Sequence, residues 1–169
     1  MHLHHNAIGW VAFGWYGRRM SLAAIDRLDL SDLVHRYADA VDRRRVDDVV
    51  ALFTADAQFV SPDPPEHLDA VKTREGHPGV RIALAGLDGL ARTHHGILGE
   101  VFRIDGDVAV GSITGVARHW MERDDRVTDV TWYLRYADEY VRTADGWRIR
   151  RRALTIDAIE HTPARVVRA

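Results

Sequence analysis

The stretch at residues 91–110, ARTHHGILGEVFRIDGDVAV, marks the point where the chain changes its period. Before it, apolar residues recur at helical spacing. From here on they alternate, as in strands that bury one face. Asp105-Gly106 breaks the alternation with a pair that favours a tight hairpin turn. Downstream, Asp145-Gly146 repeats that signal and Asp124-Asp125 marks a third reversal. Strands are expected at about 92–104, 107–121, 127–142 and 147–159, joined as an antiparallel meander. Strands of this length must bend, and Gly96, Gly99, Gly111 and Gly115 offer places to do so.

Upstream, Leu30, Leu33, Val34, Tyr37, Ala38 and Val41 form one apolar stripe of a helix over about 30–45, with Asp29 or Ser31 as its cap. The arginines Arg43, Arg44 and Arg45 near its end suit the helix dipole. A second helix is expected over about 47–54, then a short strand at 57–61. Pro62, Pro64 and Pro65 turn about 62–76 into a loop. A third helix runs over about 78–88, opened by Pro78. Helices first and a meander afterwards define an α+β class: a curved antiparallel sheet forming a cone, covered by N-terminal helices.

The chain has 169 residues, with 46% hydrophobic and 28% charged, which fits one domain with one core. Its formal net charge of −2 gives no basic footprint for nucleic acid. The absence of cysteine leaves no thiol nucleophile or thiolate metal site and suits a reducing cytoplasmic setting. The apolar run Ala7–Gly17 is shorter than the roughly 20 residues a membrane span needs. With His2, His4 and His5 it is expected to lie outside the fold. Residues 1–27 are thus read as a peripheral extension, 28–160 as a single domain and 161–169 as a tail.

Several residues could carry chemistry. Stepping about 100° per residue along the first helix puts Asp42 at roughly 120° from Leu30, at the edge of the stripe, and Tyr37 within it. His94 and His95 are adjacent on a strand, so only one faces the cone. The turn at Asp105-Gly106 brings His119 to about the level of His95 on the next strand. The divergence of His94 from His95 argues against a metal site. On the third strand Val130, Trp132, Leu134, Tyr136, Asp138 and Tyr140 share the inner face. Trp132, Leu134 and Tyr136 give it aromatic and apolar area for a cyclic ligand. Arg148, Arg150 and Arg152 share a parity and are expected on the solvated outer face or at a subunit contact.

Three segments in order, RYADAVDRRRVDDVVALFTADAQF at 36–59, ARTHHGILGEVFRIDGDVAV at 91–110 and DEYVRTADGWRIRRR at 138–152, resemble the SnoaL-like branch of the nuclear transport factor 2-like superfamily. The likeness covers about residues 28–158. Scytalone dehydratase, hexachlorocyclohexane dehydrochlorinase and bile-acid dehydratase pair a helix-end aspartate with a strand histidine, and this implies Asp42 and His95 as the catalytic pair. The bile-acid enzyme's helix tyrosine implies Tyr37. The second histidine and a polar strand residue of scytalone dehydratase imply His119 and Tyr136. That enzyme's second helix tyrosine is Val41 here, which speaks against a scytalone substrate.

The resemblance implies a cofactor-independent lyase, dehydratase-like, or an isomerase working on a cyclic apolar small molecule with an Asp–His base. No cofactor and no metal are expected, and neither nucleic acid nor membrane is an expected partner. Sheets of this branch pack through their outer faces, so a homodimer or homotrimer is expected. The contrasting reading is a non-catalytic carrier or structural subunit of the same fold. A sealed cone, or no contact between Asp42 and His95, would favour it.

Overall fold

Helix α1, Leu22–Asp42, owes its length to the stripe that ends in Val41, and Leu30, Leu33, Val34, Tyr37 and Val41 are all buried. The computed structural model describes residues 22–165; the run at 7–17, the three N-terminal histidines and the last four residues lie outside that range. The helix starts well before the expected cap, inside the segment read as peripheral. Within it Asp26 is buried, accepting hydrogen bonds from Trp147 Nε1 at 3.3 Å and Arg142 Nη2 at 2.7 Å. Ser31 is therefore interior and does not cap; its hydroxyl donates to Glu100 Oε2 at 2.7 Å. The helix also stops sooner than expected. Arg44, at φ 57°, takes the left-handed place often given to glycine, and Arg45 N–H reaches the Ala40 carbonyl at 2.9 Å.

A short α2, Val46–Ala51, leads directly into β1, Phe53–Asp63, so Phe53 belongs to the sheet and not to the second helix. The segment read as a loop is a strand, β2, His67–Glu75, joined to β1 by a turn with a cis Pro64–Pro65 bond. Its mostly exposed, charged residues hide the alternation that marks the inner strands. Helix α3, Gly76–Leu84, and a one-turn 3-10 helix at 85–87 then lead to the meander β3, Arg92–Asp105; β4, Val108–Arg123; β5, Arg126–Thr143; and β6, Gly146–Ala164. Strand β6 thus takes in part of the expected tail.

The six strands form one sheet in the order β2-β1-β6-β5-β4-β3. Every neighbouring pair is antiparallel except β1 and β6, which run parallel, with Phe59 beside Arg152. The sheet is therefore mixed at one join. The α+β class, with a curved sheet and helices over its concave side, stands as read.

Two bulges in β6 decide which side chains enter the cone. Glu139 pairs with Arg151 but Tyr140 with Ile149, leaving Arg150 as an extra residue; Asp157 is a second, between Ala158 and Ile156. The first shift turns Arg152, Leu154 and Ile156 inward, all buried, after Trp147 and Ile149. Simple alternation put Arg152 outside with Arg148 and Arg150. That expectation fails, and Arg152 is wholly buried.

Candidate active site

The inner face of the sheet and the helices enclose a cavity of about 580 Å³. His95 reaches it from β3 and His119 from β4, with Tyr37 from α1 and Trp132, Leu134 and Tyr136 from β5. Every residue singled out for the pocket in the sequence therefore lines it, except Asp42, which sits behind His95. His94 does not line the cavity: its ring is largely exposed, with Nδ1 3.9 Å from Asp42 Oδ2. Among the described residues no group of three or more acids and histidines comes together in a way that could hold a metal ion.

Asp42 ends α1 against the start of β3. Its Oδ1 accepts a hydrogen bond from His95 Nδ1 at 2.7 Å, and its Oδ2 accepts the His95 backbone N–H at 2.8 Å. Thr93, on the same edge of β3, donates from Oγ1 to Asp42 Oδ1 at 3.0 Å and itself accepts from Arg44 Nη1 at 2.9 Å. Burial alone would raise the Asp42 carboxyl. The bonds from the His95 ring and amide, the ring's charge and the Thr93 hydroxyl outweigh it and hold the carboxyl below its usual range. Because a carboxylate only accepts, Nδ1 of His95 carries the hydrogen, which leaves Nε2 as the lone-pair nitrogen of the neutral ring.

His119 is not directly opposite His95. The register pairs His95 with Ala117 and Thr93 with His119, so the two histidines are diagonal neighbours, with ring centroids 5.9 Å apart and near-perpendicular planes. The offset is two residues, because the register shifts by one at the bulge between Ile97 and Gly99, beyond what the turn at Asp105-Gly106 alone would set. Burial, then the charges of His95 and Arg44, push the His119 pKa down to about 4, and its ring packs edge-on to Trp132 at 4.7 Å. His119 is a neutral ring near pH 7, able to donate a hydrogen bond.

Deeper in the cone is a group that alternation did not reveal. Arg152 donates to Asp138 from Nε at 2.9 Å and from Nη2 at 2.6 Å, and Tyr140 donates to the same carboxylate at 2.6 Å. The guanidinium lies between two rings, 4.1 Å from the Tyr37 centroid and 4.2 Å from that of Tyr136. Burial opposes its charge, but Asp138 more than offsets this and holds its pKa well above the usual value. Tyr37 and Tyr136 are both pushed up, chiefly by burial, so both remain phenols. Asp138 was legible on the inner parity of β5, and its partner was hidden by the bulge at Arg150.

A curved six-stranded sheet with helices across its concave face, enclosing a cavity, is the nuclear transport factor 2-like architecture. The chain belongs to the SnoaL-like domain family, whose model matches residues 23–153. The uncharacterised protein Rv2910c of Mycobacterium tuberculosis is 33% identical over 138 residues, spanning 80% of this chain and 89% of its own. Among solved structures, the Kfla4162 protein of Kribbella flavida is 28% identical with a TM-score of 0.72, covering 82% of this chain and 95% of that one. A type 2 hexachlorocyclohexane dehydrochlorinase superposes with a TM-score of 0.66 at 16% identity, covering 83% of this chain and 93% of its own, a likeness of fold. Among the described residues no helix is long and apolar enough to cross a membrane.

Proposed function

We propose that the protein is a cofactor-independent lyase, of dehydratase or dehydrohalogenase type, acting on a cyclic, largely apolar small molecule. The observation that carries this reading is the Asp42–His95 contact at 2.7 Å behind a ring that faces the cavity. Asp42 and the main chain of β3 fix the ring, and Nε2 of His95 is the base. It takes a proton from carbon, the C–H electrons become the new C=C bond, and the leaving group departs from the adjacent carbon with the bonding pair. For a hydroxyl leaving group, a proton must be supplied, and His119 and Tyr37 are neutral donors lining the cavity. Trp132, Leu134 and Tyr136 orient the ring of the substrate. The sequence is redox-neutral, so it calls for no electron carrier. The same base returning its proton to a different carbon would give isomerisation.

A sealed cone or a separated Asp42 and His95 would have supported a carrier or structural subunit. An open cavity and a bonded pair support catalysis. The test begins with mass spectrometry of whatever co-purifies in the cavity, followed by incubation of hydroxylated and halogenated cyclic relatives of that molecule in D₂O. Loss of water or halide, or deuterium entry at carbon, is expected with the wild type and not with His95→Ala. Retention of either reaction in His95→Ala would overturn the proposal.

A further inference from the structure

Among the described residues no aspartate or glutamate lines the cavity, yet an arginine does, Arg74 on β2. In the order β2-β1-β6-β5-β4-β3, strand β2 is the edge opposite β3, so Arg74 and His95 belong to opposite margins of the curved sheet. Arg74 pairs with Phe59 across β1–β2, which puts it on the inner face with that buried ring. Its Nη1 donates to Ser61 Oγ at 2.7 Å. Among the described residues no carboxylate lies within ion-pair distance of it, whereas Arg81, Arg118, Arg135, Arg150 and Arg152 each meet one. Its backbone is also pinned. A Cβ at Gly79 of α3 would lie 2.7 Å from the Arg74 carbonyl carbon, so the bare glycine lets the helix press directly on this point of β2.

A half-buried guanidinium with unused donors in a largely apolar cavity raises the local potential and favours an anion. A single guanidinium fork beside one hydroxyl suits a planar monoanion. We propose that the ligand of this cavity carries a carboxylate, bound by Arg74 and Ser61 on the wall opposite His95. This rests on reading the cavity as a substrate site, and it narrows the substrate from a cyclic apolar molecule to a cyclic carboxylic acid whose reacting carbon lies at the far end from its carboxylate.

The test is equilibrium binding of naphthalene-2-carboxylate and its neutral isostere naphthalene-2-carboxamide to the full chain, followed by isothermal titration calorimetry at neutral pH. The wild type is expected to prefer the carboxylate by roughly tenfold or more, the scale of a hydrogen-bonded charge pair. Arg74→Gln is expected to abolish the preference while leaving carboxamide affinity unchanged, and Arg74→Lys, which keeps the charge without the fork, to retain part of it. Ser61→Ala gives a milder loss and covers the case in which an Arg74 variant fails to fold. His95→Ala is expected to keep the preference, so this inference and the elimination reading can fail separately. Equal wild-type affinities, no binding of either compound, or a preference that survives Arg74→Gln would overturn it.

Discussion

One carboxylate holds two parts of a single residue: Asp42 binds the ring of His95 through Oδ1 at 2.7 Å and its backbone N–H through Oδ2 at 2.8 Å. A ring tied at both ends of its side chain has neither a free tautomer nor a free rotamer. The end of α1 is thereby fixed to the start of β3, and Thr93 and Arg44 extend the tie to the turn after the helix.

Removing the proposed base or its orienting partner should therefore be costly for turnover and mild for the fold. His95→Ala and Asp42→Asn are each expected to lower kcat by about 10²-fold or more. Thermal unfolding followed by circular dichroism should show both variants folded, because neither residue belongs to the apolar stripe of α1. A kcat within a few-fold of wild type in either variant would remove the pair from the mechanism.

The buried pair of Arg152 and Asp138 should behave differently. Arg152→Ala or Asp138→Ala strands the partner's charge in the core, and each is expected to cost about 3–5 kcal/mol in urea unfolding. The double replacement Asp138→Asn with Arg152→Met should cost less than the sum of its single changes, since neither then leaves a lone charge. Additive losses would show that the two side chains are not coupled.

His119 gives a stability change with pH. Its folded pKa of about 4 lies below the unfolded value of about 6.5, so the unfolded chain binds more protons between the two. Stability should fall as pH drops through that window, by about 3 kcal/mol in all, and level off below it. His119→Gln should flatten that part of the profile. An unchanged slope in the variant would assign the acid sensitivity to other groups.

The convex face offers a test of assembly. Val101 and Val110 are exposed there as diagonal neighbours of the β3–β4 ladder, near the exposed Leu98. A dimer or trimer through this face is expected in light scattering at micromolar concentration, and Val101→Glu with Val110→Glu should shift it to monomer. A wild type that is monomeric under those conditions contradicts the expectation.

The strands β3 to β6 and their turns were legible because Asp105-Gly106 and Asp145-Gly146 sit between clean alternations. The positions of Asp42 and His95 followed from helix angle and family motif together. Strand β2 was not legible, since an exposed edge strand of mixed polar residues has no inward set to show a period. The start of α1 was missed because residues that could cap a helix, Asp29 and Ser31, lie within it, and capping chemistry alone does not mark an end. Arg74 drew no notice for the first of these reasons, and Arg152 because a bulge leaves no mark in composition.

The bulge at Arg150 also determines how this strand can change in descent. Removing Arg150 would restore plain alternation and still leave Ile149 and Arg152 inward, whereas removing any residue from Arg152 to Ile156 would throw part of the inward set to the other side. Arg150, and in the same way Asp157, are therefore places where a lineage can gain or lose a residue without altering the lining. An ungapped comparison of two such chains would set an outward residue against an inward one and report a lost arginine where only the count between turns had changed.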